Sequence, residues 1–370
     1  MIPLYKVYND SDCEAAALAV LRSGQVASGP AVEQFRQGLC DIVGHERVVT
    51  TNDMSSAMHL ALRLAGVGPG SEVLTSPFSC LATNSPIVQA GARAVWFDID
   101  PHSAAPLLAS VRAAITARTR ALIVYHLAGY PVWSAALAQL CRDHGIALIE
   151  DCDNALGASV DGQPVGTLGD YAVFSFSPIR QISCGEGGAL ACRSADDHVR
   201  AARLKRFGYH PLHFRDASGE INEAEDVAEI GWSAAMNNLC SALGAAQLPT
   251  WRARLAQARA NAAWLGAACA EVAGVTPLAL SPGAQPAYWV LPLLCGERDG
   301  LLAYLKAHGV AASRVHLRND LYSGFAAAPA ALPGLTRFAD SMLAVPCGWW
   351  LDAAALEYIA ATVRAFGARA

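Results

Sequence analysis

The residues best suited to chemistry fall in three short stretches. Ile149-Glu150-Asp151-Cys152-Asp153-Asn154-Ala155-Leu156-Gly157-Ala158 sets acids at the end of an apolar, strand-like run. A carboxylate carried into such a place needs a cation to offset its desolvation. A protonated pyridinium nitrogen would serve, and so would an arginine of the protein; a purely structural acid pair fits the same residues. Asp53-Met54-Ser55-Ser56 stands where a strand turns into a helix. Free amides and the positive dipole end make such a turn an anion site, while a simple helix cap at Ser55 explains the same serine. The third stretch runs from Phe174-Ser175-Phe176 to Gly185-Glu186-Gly187-Gly188, with Arg180 at its centre. Arginine offers a fixed charge and a planar fork suited to phosphate or carboxylate. It is no proton carrier: a guanidinium stays charged at any working pH, and deprotonating it at pH 7 costs about 8 kcal/mol. His126 and His316 are the side chains able to move protons, and either is equally a structural histidine by type.

Alternating elements must position these groups. Val48 to Thr51, Glu72 to Ser76, Ala94 to Ile99, Ala121 to Tyr125, Ile146 to Ile149, Tyr171 to Phe176 and Ala189 to Cys192 read as strands. Helical patterns fall near Ser55 to Ala65, Ser79 to Gln89, Ala104 to Ile115 and Ser134 to His144, preceded by helices at Asp10 to Arg22 and Val32 to Val43. This alternation predicts an α/β fold with a mostly parallel sheet, whose ligands bind at the carboxyl ends of its strands. Asn238 to Cys269 reads as two helices broken near Pro249, the second able to bridge two domains. A strand at Tyr288 to Leu294 and helices at Gly300 to Lys306 and Asp352 to Phe366 come after them. The expected division is a large domain over 1–250 and a smaller α+β domain over 251–370.

The 370 residues are 53% hydrophobic, on the globular side of the disorder boundary. No apolar run spans a membrane uninterrupted, and Met1 to Lys6 lacks a secretory pattern. A net charge of −5 without a basic run argues against nucleic acid. Eleven scattered cysteines, none at two-residue spacing, point to a reducing cytoplasm and to no metal site.

Taken in order, these motifs resemble the DegT/DnrJ/StrS-type sugar aminotransferases, from about Pro3 to Phe366. Glu150-Asp151, Gly166-Thr167-Leu168-Gly169-Asp170, Phe174-Ser175-Phe176 and Gly185-Glu186-Gly187-Gly188 are all in register, and Ser313 to Asp320 and Pro346-Cys347-Gly348-Trp349-Trp350 look like one branch of that family. The resemblance implies pyridoxal-phosphate (PLP) fold type I, a homodimer with shared active sites, and a nucleotide-linked keto-sugar substrate of the kind met in natural-product biosynthesis. It implies that Asp151 pairs with the pyridine nitrogen, that Ser55 and Ser175 bind the phosphate, and that Asn154 stands near the ring hydroxyl. Arg318, Asn319 and Asp320 fall in a segment that would meet substrate. The chain departs from the pattern at four points. Met54 replaces a glycine, Cys80 an aromatic ring stacker, and Ser233 an Asn or Lys that reaches the neighbouring subunit's phosphate. Arg180 replaces the lysine that carries the cofactor covalently.

No nearby lysine substitutes, since the chain has only Lys6, Lys205 and Lys306. Two functions therefore compete. One is an enzyme on a nucleotide-linked keto-sugar or related carbonyl that holds PLP or its amine form, PMP, without a covalent link, with His126 or His316 moving protons. The other is a repurposed or inactive relative whose Arg180 pairs with Asp151 or holds an anionic ligand. A deliberate lysine replacement would leave the same mark.

Overall fold

The computed structural model describes residues 1–325 and 331–368. The chain opens with α1 (Ser11–Ser23) and α2 (Pro30–Val43), then enters the sheet at β1 (Val48–Thr51). Next come α3 (Met54–Leu64), β2 (Glu72–Thr75), α4 (Leu81–Gln89), β3 (Arg93–Trp96), α5 (Leu108–Ala114), β4 (Thr119–Tyr125), α6 (Ala135–His144) and β5 (Ala147–Asp151). A short hairpin, β6 (Ser159–Val160) and β7 (Gln163–Pro164), precedes β8 (Tyr171–Ser175), β9 (Gly188–Cys192) and α7 (Ala195–Leu204). The remainder comprises α8 (Asn238–Gln247), α9 (Trp251–Ala270), β10 (Val275–Pro277), β11 (Ala284–Gln285), β12 (Leu291–Cys295), α10 (Arg298–Ala307), α11 (Pro333–Ser341), β13 (Met342–Val345) and α12 (Ala353–Gly367).

Seven strands form one sheet in the order β1-β9-β8-β5-β4-β2-β3. Only β9 runs against the rest, being antiparallel to both β8 and β1. The central strands are buried on both faces, as near-continuous apolar runs require. Met58, Leu60, Leu62 and Ile123 belong to one core, and Phe35, Leu39, Phe174 and Phe176 to a second. A third core, with Leu265, Leu293, Leu301 and Ile359, closes around the antiparallel β10-β12-β13 sheet.

The helix spanning two cores is α9. Its Trp251 and Leu255 lie in the second core, whereas Ala262, Leu265 and Cys269 lie in the third. A division at residue 250 thus gives to the smaller unit a helix whose first turns belong to the larger one.

The helix starts obey local rules that sequence order alone left open. Asp10 caps α1, its carboxylate accepting from the Cys13 amide at 3.0 Å. At α3 the cap is Asp53, not Ser55: Asp53 Oδ1 accepts from the Ser56 amide at 2.7 Å. Several elements have no counterpart in the strand and helix pattern of the sequence: α7, α11, β13 and the short strands β6, β7, β10 and β11. The start of α11 is held from a distance by Asp98, which accepts from the Gly334 and Leu335 amides at 2.9 and 2.7 Å. Asp98 is buried, so truncating it strands two amides at a helix N-terminus. Asp98→Ala is expected to lower unfolding free energy by about 1–3 kcal/mol in urea melts; an unchanged midpoint would show that this cap contributes nothing.

Candidate active site

Parallel pairing brings three strand ends together. Tyr125 is in register with Asp151 across β4 and β5, and Asp151 with Val173 across β5 and β8. Successive side chains on β5 point to opposite faces, so Glu150 and Asp151 serve different ends.

Glu150 is fully buried and satisfied. It accepts from the Leu168, Gly169 and Gly166 amides at 2.8, 2.7 and 3.1 Å and meets His126 Nε2 at 3.1 Å. Burial alone would raise its pKa, but His126 and these amides hold it below the usual carboxylate range. His126 Nδ1 accepts from the Val132 amide at 3.2 Å. With both ring nitrogens engaged and no exposed surface, His126 is a scaffold residue, and the expectation that it moves protons is corrected. Cys152 lies beside this pair, its thiol kept protonated by burial and by neighbouring acids.

Asp151 and Asp153 form the charged centre, both buried. Asp151 accepts from the Thr83 hydroxyl at 2.6 Å and from the Asp153 amide at 3.1 Å. The expected partner, Arg180, goes elsewhere: Nη2 donates to Asp153 Oδ2 at 2.9 Å and Nη1 to Asn154 Oδ1 at 2.6 Å. Its guanidinium also lies 5.0 Å from the ring centre of Trp289. Burial raises the pKa of Asp151 well above the carboxylate range, and the charge of Asp153 adds to it. The guanidinium thus serves only one of the two acids, and Asp151, left without a bonded cation, favours its protonated form.

A directed hydrogen-bond line leaves this centre. Arginine donates only, so Asn154 must present its oxygen to Arg180 and its amide to Tyr125, whose hydroxyl oxygen lies 2.8 Å away. The Tyr125 hydroxyl in turn lies within hydrogen-bond distance of His316 Nε2, at 2.8 Å. Burial first, and the charge of Arg180 second, push the His316 pKa down to about 3. His316 is neutral at physiological pH. It lines a cavity of about 620 Å³ with Ser79, Cys80, Ser313 and Asn319.

The phosphate-type residues gather at the next strand ends. Ser175 is in register with Gly188, which pairs with Thr51 at the end of β1. A side chain at Gly188 would collide with the Asp53 backbone, so Ser175 and the first turn of α3 are neighbours. The nearest polar contacts of the Ser175 hydroxyl, to Ser177, are long at 3.4 Å, leaving capacity for a ligand. Ser55 is half-buried in that same turn, beside the carboxylate of Asp53. Ser233 is exposed; its neighbour Ala234 accepts from the Asn52 amide at 2.9 Å.

Other expected residues serve structure. Arg318 grips Asp320 with Nε and Nη2 at 3.0 and 2.6 Å and reaches Thr336 at 2.8 Å. Asn319 accepts from Asn84 at 2.8 Å and donates to the Ser79 carbonyl at 3.2 Å. This clamp fixes the segment that presents His316, and Asn319 alone of the three lines the cavity. Lys205 donates to the Thr50 carbonyl at 2.9 Å; β1 lies three strands from β5, about 14 Å at ordinary strand spacing. Sequence reasoning missed Thr83, Tyr125, Asp153 and Trp289. Tyr125 carried a signal, the last position of a parallel strand, and Asp153 stood in the acidic stretch after β5; Thr83 and Trp289 carried none.

A mostly parallel sheet with its chemistry gathered at one end is the architecture of fold type I, the class of PLP-dependent transferases. Within it, the chain belongs to the DegT/DnrJ/EryC1/StrS aminotransferase family, whose sequence profile matches residues 8–364. The sugar aminotransferase CalS13 from Micromonospora echinospora is 33% identical, with coverage of 99% of this chain and 100% of that one at a TM-score of 0.93. AtS13 from Actinomadura melliaura is 35% identical over 99% and 98% of the two chains, also at 0.93. The aminotransferase TlmJ from Streptoalloteichus hindustanus is 28% identical over 100% and 99%, at 0.91.

A histidine whose folded pKa lies below its free value makes the unfolded chain the better proton binder. Its stability contribution is intact above about pH 6.5 and is lost as pH falls from there toward about 3. His316→Gln removes that loss. Between pH 6 and 4, urea unfolding should shift in favour of the variant by about 1.4 kcal/mol per pH unit; a pH-independent difference contradicts a buried neutral His316.

Proposed function

We propose that this chain holds PLP or PMP without a covalent link and acts on a nucleotide-linked keto-sugar or related carbonyl substrate. The observation that carries the reading is the missing positive charge beside Asp151. A protonated ring nitrogen fits it, since Asp151 is buried, accepts from no arginine and has oxygen lone pairs to spare. Ser175, Ser55 and the amides that open α3 suit the phosphate. When bound, the cofactor supplies an electron sink and a carrier for the amino group.

The protein's own residues set the limits of the reaction. Arg180 cannot attach the cofactor, and its two Nη nitrogens are engaged by Asp153 and Asn154. It keeps a fixed charge where the family's lysine would stand. Neutral His316, hydrogen-bonded to the Tyr125 hydroxyl and lining the cavity, is the group placed to move a proton. Ordinary multiple-turnover transamination, which relies on the lysine, is therefore expected to be slow. The exposed Phe207, Leu212, Ile221 and Ile230, near Ser233 in sequence, suit the face of a homodimer.

A second reading, a ligand-binding relative without PLP chemistry, draws on two specific features. Both ends of the Asn154 amide are spent, and the Asp53 carboxylate sits where a phosphate would dock. Cofactor titration with dialysis separates the two. Reversible uptake of PLP or PMP, weakened about tenfold or more by Asp151→Asn, supports the first. No uptake at millimolar cofactor supports the second.

The lysine question has a sharper form than a single exchange. In Arg180→Lys the new amine would face Asp153 and stay protonated as its ion-pair partner. Arg180→Lys combined with Asp153→Ala frees it. Borohydride should fix added PLP to the double variant and much less to the single one; equal fixation by the wild type would overturn the claim that no covalent link forms.

A further inference from the structure

Arg180 also borders a second, smaller cavity of about 40 Å³, distinct from the one beside His316. It lies among α9, the N-terminal segment at Tyr5 and Lys6, and the turn Gly348 to Trp350. Its walls are aromatic: Tyr5 stacks on Trp289 with ring centres 4.7 Å apart, and Trp349 meets Trp350 edge to face. Its charges are of one sign. Lys6, Arg180 and Arg254 line it, and among the described residues no carboxylate does, in a chain whose net charge is −5.

Three buried N–H donors on lining residues have no partner: Arg180 Nε, Arg254 Nε and Trp350 Nε1. Arg254 is 8% exposed, and its guanidinium lies 3.6 Å from the ring centre of Tyr8. Its other nitrogens donate to the Thr250 hydroxyl and, at 3.3 Å, to the Gln181 carbonyl, so it has no acidic partner among these bonds. The Asp10 carboxylate, which it feels at longer range, is spent on the α1 cap and on the Tyr8 hydroxyl. One unpaired acceptor, Gln181 Oε1, completes the lining.

Buried donors left without a partner are costly, and three of them on the lining of one cavity point to an absent acceptor. A water needs about 10–15 Å³ of such space, so the cavity takes about three waters or the oxygens of one acid group. Water would meet the hydrogen bonds but not the charge of Lys6 and Arg254. We propose that this pocket is an oxyanion subsite, binding the carboxylate or phosphoryl group of a small ligand between Arg180 and Arg254, with Lys6 at its rim. Nothing in it requires that PLP or PMP be bound, so it stands or falls apart from the cofactor chemistry beside Asp151.

Tryptophan fluorescence of the full chain, without added cofactor, reads the pocket directly. Titrations use sodium acetate and, separately, inorganic phosphate, at constant ionic strength set with chloride. A saturable change with either anion, weakened about tenfold or more by Arg254→Gln, is the expected result, and the tighter anion identifies the group. Lys6→Met, at the exposed rim, should weaken binding in the same direction and serves if Arg254→Gln fails to fold. No saturable change with either anion, as for a cavity holding water alone, overturns the proposal. So does anion binding indifferent to the available variants, which would place the anion elsewhere, as at the start of α3.

Discussion

Of two buried acids at the end of β5, on residues separated by one position, only one is paired with the neighbouring guanidinium, and the rest of the site is arranged around that imbalance. A buried charge survives only with a partner. Asp153 has Arg180; Asp151 has a hydroxyl and an amide, which ease its burial without cancelling it. The orientation of Asn154, and so the bond it donates to Tyr125 on the line to His316, descends from where the arginine binds. Had Arg180 turned to Asp151, the acid without a cation would be Asp153, and Asn154 would lose the donor that fixes its orientation.

Arginine for lysine is a change of kind at such a place. A lysine is a point charge that can surrender its proton when desolvated, whereas a guanidinium remains charged and spreads its donors over a plane. Here the plane bridges Asp153 and Asn154 and lies over Trp289, which in turn donates its indole N–H to the Ile179 carbonyl at 2.7 Å. The segment that carries Arg180 is thereby tied to the part of the chain that builds the third core. Tyr5 stacks on the same indole, so the N-terminal segment joins the connection.

Much of the architecture was legible in the amino-acid sequence, because strand and helix periods alternate cleanly from Val48 to Cys192 and local caps obey short-range rules. Asp151 and Arg180 were legible too, as an acid ending an apolar strand and a cation where the pattern calls for lysine. Their partnership was not. Sequence order puts Asp151 and Asp153 on an equal footing, and only packing shows that Thr83, from α4, has already engaged one of them. His126 and Arg318 misled for a related reason: a polar side chain looks the same in sequence whether it faces a cavity or closes a buried bond. The α7 helix and the α11–β13 pair were missed where short apolar spacing gave way to charge, and Asp98, far away in sequence, supplies the cap for α11.

The position of Glu150 has a consequence for how such a protein changes over generations. One peptide bond separates a carboxylate fully committed to holding loops together from one left open to chemistry. Substitutions at 153, 154 or 180 alter charge and hydrogen bonding on the open face while the four donors around Glu150 keep the strand in place. The open face can therefore vary while the fold is inherited, keeping a stable chain on which a new reaction can be selected.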